Sequence, residues 1–171
     1  MRILTVYSSL TGNTKTIAEA IKREIDRLAP RNAEIFPVEN APDPQKYDLI
    51  FLGFWADKGG ADEKTKEYMS KIRAKKLALF FTAGVYADSL HAEHIFINAR
   101  NVLDKSNELL GNFRCMGKID PKILELSAKA HGPMTPERAA RIEEAKKHPD
   151  ENDCINAQSF ASGVLRKASL C

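Results

Sequence analysis

The hydrophobic positions change period within the first thirty residues. Ile3-Leu4-Thr5-Val6-Tyr7 is a short apolar run, and after a polar interruption Ile17, Ala18, Ile21, Ile25 and Leu28 recur at helical spacing. The run predicts a strand over 2–7, and the spaced set predicts a helix ending near Pro30. Ala33 to Val38 predicts a second strand. Pro37 has no N–H to give a ladder, so this strand belongs at a sheet edge. Asp48 to Trp55 and Leu77 to Thr82 are nearly unbroken apolar runs, the pattern of strands covered on both faces. Phe113 to Ile119 mixes polar and apolar positions and predicts a half-exposed fifth strand at the other edge. Helices are predicted over 62–73, 88–110 and 152–168, opened by Asp62, Asp88 and Asp153 as caps.

Strands alternating with helices make a three-layer α/β fold with a parallel sheet. Edge-type second and fifth strands around three buried ones fit five strands in the order 2-1-3-4-5, with ligands expected beyond the strands' carboxyl ends, at the switch between strands 1 and 3. A chain of 171 residues, 43% of them hydrophobic, suits one domain over 1–171. The stretch 120–149 is an extra connection. Pro121, Gly132-Pro133 and Pro136 interrupt it, and Pro136 to Lys147 reads as an added charged helix. It covers a ligand edge, recognises a partner, or is a surface excursion without chemistry.

The loop after the first strand, Ser8-Ser9-Leu10-Thr11-Gly12-Asn13-Thr14, carries four hydroxyls and an amide, with a glycine for a tight turn. A helix N-terminus follows, so the loop suits an anion. It contains neither G-x-x-x-x-G-K-[ST] nor G-x-G-x-x-G, which leaves a monophosphate. The plain alternative is a βα turn.

Ser9-Leu10-Thr11-Gly12-Asn13-Thr14 resembles the FMN-phosphate loop of the flavodoxin family, which follows [ST]-x-T-G-[NQ]-T at this place in the chain. Chain length, strand spacing and two later loops resemble the same family, and more narrowly its short flavodoxin-like members in anaerobic bacteria. The resemblance implies a flavodoxin-like fold, FMN as cofactor, and electron transfer with redox partner proteins whose identity it does not supply.

A flavin ring needs two flat walls, expected from the loops after strands 3 and 4. The first is Phe54-Trp55-Ala56-Asp57-Lys58-Gly59-Gly60, where Trp55 either stacks on the ring or is buried under the helix layer. Gly59-Gly60 offers either a peptide whose carbonyl turns toward the half-reduced flavin or an ordinary turn. Lys58 either raises the flavin potential or reaches solvent, with Asp57 beside it. The second wall is Thr82-Ala83-Gly84-Val85-Tyr86, in which Thr82, Ala83 and Gly84 present backbone groups to the ring edge. Tyr86 is either the outer stacking residue or an exposed aromatic.

A net charge of +3, with acidic and basic residues interleaved, does not indicate nucleic-acid binding. Flavodoxins are typically strongly acidic, so their basic partners do not carry over. No run reaches membrane-spanning length and no signal peptide is evident, so a cytoplasmic monomer is expected. Cys115, Cys154 and Cys171 form no C-x-x-C pair or zinc spacing and read as reduced thiols. His91 and His94, beside Glu93, lack a third ligand, and His131 and His148 have no evident partner, so no metal is expected. G-x-S-x-G is absent, and Tyr7-Ser8-Ser9 lacks the acidic pair of a receiver domain.

These readings converge on an FMN-binding flavodoxin-like electron carrier without acid–base catalytic residues. The alternative is an FMN-dependent reductase of a quinone, tetrapyrrole or other conjugated small molecule. A third reading is a phosphate-binding module without flavin.

Overall fold

A computed structural model describes residues 1–170, apart from the side chains of His131 and Leu170. Cys171 lies outside the described residues. The strands are β1 (Ile3–Tyr7), β2 (Ala33–Pro37), β3 (Leu49–Asp57), β4 (Gly60–Ala61), β5 (Lys76–Ala83) and β6 (Glu108–Met116). Five run parallel in the order β2-β1-β3-β5-β6, which is the expected 2-1-3-4-5 order once the two-residue β4 is set aside. Pro37 ends β2 at the sheet edge, where its missing N–H costs no ladder bond.

The helices are α1 (Asn13–Leu28), α2 (Glu63–Met69), α3 (Leu90–Val102), α4 (Pro121–His131), α5 (Pro136–Ala145) and α6 (Glu151–Leu170). Strand alternation divides the interior into two cores. Leu4, Val6, Ile50, Leu52, Leu79 and Phe81 pack with Tyr68 and Met69 of α2 and with Ile95, Phe96 and Ala99 of α3. On the opposite face Ile3, Leu49, Phe51, Ala78 and Phe80 meet Ile17, Ile21 and Ile25 of α1 and Ala157, Ala161 and Val164 of α6. Because successive side chains point to opposite faces, an unbroken apolar strand supplies both cores at once.

The structure corrects several boundaries. The helix expected over 88–110 stops at Val102, because Asp104 turns the chain by accepting from the N–H and hydroxyl of Ser106, and Glu108 already belongs to β6. The helix expected over 62–73 ends at Met69. Asp62 does cap α2, but Ser89 instead of Asp88 caps α3. Asp150 instead of Asp153 opens α6: the two exchange N–H to carboxylate bonds of 2.9 and 2.8 Å, a reciprocal capping box. The extra connection holds two helices, not one. Pro121 is no breaker but sits in the first turn of α4 behind the Asp120 cap, where a missing N–H is harmless. Among the described residues no helix is long and apolar enough to cross a membrane.

Candidate functional site

The loop between β1 and α1 is held at both ends. Ser8 N–H donates to the Gly53 carbonyl at 2.9 Å, fixing the loop to β3, and Ser9 Oγ accepts from Lys15 N–H at 3.2 Å. Gly12 caps α1 at φ 92°, a left-handed conformation that costs a side-chain-bearing residue about 1 kcal/mol. Inside the turn, the Thr14 and Thr82 hydroxyls meet at 2.8 Å and both residues are buried. The N–H groups of residues 9–14 find no protein acceptor among the described residues. Such a run, opening a helix, is an anion cradle.

Ser8 departs from expectation. Its hydroxyl is buried and donates to Asp62 Oδ1 at 2.9 Å, so it braces the loop against α2 and does not face the cradle. The same carboxylate accepts from Thr65 N–H at 3.2 Å and Thr65 Oγ1 at 2.7 Å.

After β3 the chain makes a tight hairpin into β4, with Asp57 opposite Gly60. Lys58 and Gly59 form its two-residue turn at φ 48° and 78°, the pattern of a type I′ turn. The Gly59 carbonyl accepts from Asn98 Nδ2 of α3 at 2.8 Å, which ties the Gly59–Gly60 peptide in place. Phe54 is fully buried and stacks on Phe81 with centroids 5.1 Å apart, so it belongs to the core.

A cavity of about 530 Å³ lies beyond the carboxyl ends of β1, β3 and β5. The first loop contributes Leu10, Thr11, Asn13 and Thr14; the β3 hairpin gives Trp55, Ala56, Lys58 and Gly59; β5 and its loop give Thr82, Ala83, Gly84 and Val85. Of the other expected residues, Ser8, Ser9, Gly12, Phe54, Asp57, Gly60 and Tyr86 are outside its walls. Tyr86 is 43% exposed, the second of the two expectations for it, and its neighbour Val85 lines the cavity.

The extra connection forms the remaining wall. Lys118 anchors it to the first loop: its carbonyl accepts from Asn13 Nδ2 at 2.9 Å and from Thr11 Oγ1 at 3.4 Å, and its N–H donates to the His148 carbonyl. Ile119 lies on Gly84, where a Cβ would overlap it. Ile123 and Leu124 of α4 and Arg138, Arg141 and Ile142 of α5 then face the cavity. The sequence reading missed these residues, although Arg138, Arg141 and Ile142 at i, i+3, i+4, and Ile123 and Leu124 with Ser127 at i+4, each share one face of a helix.

His148 does have partners: Asp153 at 2.5 Å and Glu144 at 3.5 Å. The bond to Asp153, ahead of all other causes, holds its pKa above the ordinary histidine value. This pair locks the end of the extra connection to α6. Groups with large shifts lie away from the cavity. Burial and the Glu34 carboxylate push the Tyr47 hydroxyl up to about 12, and burial alone dominates the rise at Tyr68 and Cys115.

A flavodoxin domain family model matches residues 4–162. This chain belongs to the flavodoxin domain family. Over 99% of both chains it is 36% identical to a flavodoxin-like domain-containing protein, BilS, of Clostridioides difficile. It is 28% identical to a protein of the same name from Clostridium symbiosum, again over 99% of each. Among solved structures, the oxidised flavodoxin 2 of Bacillus cereus shares its fold with a TM-score of 0.61 at 21% identity, covering 98% of this chain and 99% of that one. A flavoprotein of Lactobacillus acidophilus in complex with FMN matches 66% of this flavodoxin-domain chain and 92% of its own length, with a TM-score of 0.52 at 20% identity.

Proposed function

We propose that this flavodoxin-domain protein binds FMN and carries electrons between a donor and an acceptor, in a reducing cytoplasm. The observation that supports FMN most directly is the cradle: the N–H groups of residues 9–14, without protein acceptors among the described residues, open α1 at the switch point between β1 and β3, from which the connections leave in opposite directions. A dianionic phosphate satisfies these donors, the second amide hydrogen of Asn13 is free to join them, and the Thr11 hydroxyl can rotate to a phosphate oxygen from its long 3.4 Å contact with the Lys118 carbonyl. Trp55 offers an aromatic wall beside the Lys58-Gly59 turn, with the backbone of Thr82 to Val85 across the cavity. When bound, FMN supplies the redox chemistry, and the protein positions it and sets its electrostatic surroundings.

A second reading, an FMN-dependent reductase of a conjugated small molecule, is favoured by one feature. The lid of α4 and α5 gives the cavity apolar walls that electron exchange with a protein surface does not need.

Reconstitution tests the cofactor assignment. Thr11→Ala is expected to weaken FMN about tenfold, as for loss of a hydrogen bond to a charged group, and riboflavin less than twofold. Equal losses for the two ligands refute the phosphate assignment, and a protein that takes up neither refutes the flavin itself. Photoreduction in one-electron steps supports the carrier. Steady turnover of a small acceptor with a nicotinamide donor alone supports the reductase.

A further inference from the structure

The cavity carries more positive charge than a cofactor phosphate calls for. Four cations line it, Lys58, Lys118, Arg138 and Arg141, against one carboxylate, Asp120. The phosphate is already provided for by the backbone N–H groups of residues 9–14 and the helix end behind them.

The two arginines differ. Arg138 is engaged in building the lid: its Nη2 donates to Ser127 Oγ of α4 at 2.8 Å, and its Nη1 reaches the Gly132 carbonyl at 3.5 Å. Arg141 lies one turn on along α5 and also lines the cavity, and no hydrogen bond or ion pair holds its guanidinium among the described residues. A guanidinium without a protein partner offers a planar fork matched to a carboxylate. The same cavity is lined by Ile123, Leu124, Ile142 and Val85, which present aliphatic surface.

We infer that Arg141 anchors a second ligand, a planar apolar small molecule bearing a carboxylate, held under the lid between α4, α5 and the Val85 loop. The inference rests on the FMN reading, since the first loop is reserved for the cofactor phosphate. A carboxylate on a partner protein fits less well, because the Arg141 side chain is half-buried in the lid and lines the cavity. Charge and shape select together, the fork favouring an acid and the aliphatic walls a flat, poorly hydrated body.

The test uses the FMN-loaded protein and two probes, anthraquinone-2-carboxylate and its methyl ester, with binding read by calorimetry and by perturbation of the flavin spectrum. Wild type is expected to bind the acid at least tenfold more tightly than the ester, the range of a charge-assisted hydrogen bond. In Arg141→Gln the ratio is expected to fall to near one, while Arg141→Lys, which keeps the charge and loses the fork, is expected to fall between. A wild-type ratio near one, a failure to bind either probe, or an unchanged ratio in Arg141→Gln overturns the proposal. FMN affinity is measured separately in each protein. If Arg141→Gln loses more affinity for FMN than it loses preference for the acid, the guanidinium serves the cofactor and the proposal also falls. A wild-type protein that takes up no FMN instead overturns the underlying cofactor reading, which the separate affinity measurement distinguishes.

Discussion

Replacing Asp62 by alanine should destabilise the protein through the first loop as well as through α2. The Asp62 carboxylate is 3% exposed and accepts three hydrogen bonds: from Ser8 Oγ, Thr65 N–H and Thr65 Oγ1. Removing a helix cap costs about 1 kcal/mol. The change also strands two buried hydroxyls, at about 1 kcal/mol each, giving about 3 kcal/mol in all. For a domain of this size each kcal/mol moves Tm by about 2–4 °C, so a fall of about 6–12 °C is expected. Far-UV circular dichroism of the FMN-free protein measures it without the stabilisation that a bound ligand adds. Ser8→Ala should cost about 1 kcal/mol, and the double variant should cost less than the sum, because both changes remove the same bond. A fall in Tm below 2 °C, or strict additivity, would refute this account. So would a larger loss of FMN affinity in Ser8→Ala than in Thr11→Ala, since the Ser8 hydroxyl would then serve the phosphate.

Gly12→Ala, at φ 92°, should destabilise the apo-protein by about 1–2 kcal/mol and weaken FMN, and an unchanged midpoint in urea would contradict the left-handed cap. Glu24 is held at about 2, below its ordinary 4.5, first by its bond to Arg27 and then by Ser162 of α6. A lowered folded pKa adds stability above pH 4.5 that is lost as pH falls toward 2. Because Arg27 is largely exposed, the effect is put at about 2 kcal/mol. Urea denaturation at pH 2.5, 4 and 6 should therefore show a steeper acid loss in wild type than in Glu24→Gln, and parallel curves would count against the linkage. Burial raises the thiol pKa of Cys115, 2% exposed, so in a Cys171→Ser background Ellman's reagent should titrate Cys154 alone until the protein unfolds. Two prompt equivalents would show the Cys115 side of the sheet to be open.

The sheet was legible because its signals are local and strong. Unbroken apolar runs such as Leu49–Phe54 have no stable place except between two helical layers, and Pro37 marks an edge by itself. The first loop was legible for the same reason, since its donors and its glycine are consecutive. What escaped depends on contacts between distant segments. Ser8 and Asp62 are 54 residues apart, and no local rule says that this hydroxyl turns inward while Thr11 lines the cavity. The sequence left Tyr86 open between a stacking residue and an exposed aromatic, and only packing shows it exposed with Val85 lining the cavity beside it. Half of the lid was legible, since a helix from Pro136 was expected; α4 was not, because Pro121 read as a breaker whereas it begins a helix behind the Asp120 cap, as Pro136 does behind Thr135.

The bond from Asn13 to the Lys118 carbonyl spans 105 residues. A chain made from its N-terminus exposes the first loop early, long before the segment that braces it exists. The cradle gains this support only after β6 has joined the sheet edge and the chain has turned back across the strand ends. Assembly of the pocket is therefore coupled to near-completion of the polypeptide: a nascent chain truncated before Lys118 presents the whole phosphate-loop sequence yet lacks both the brace and the lid.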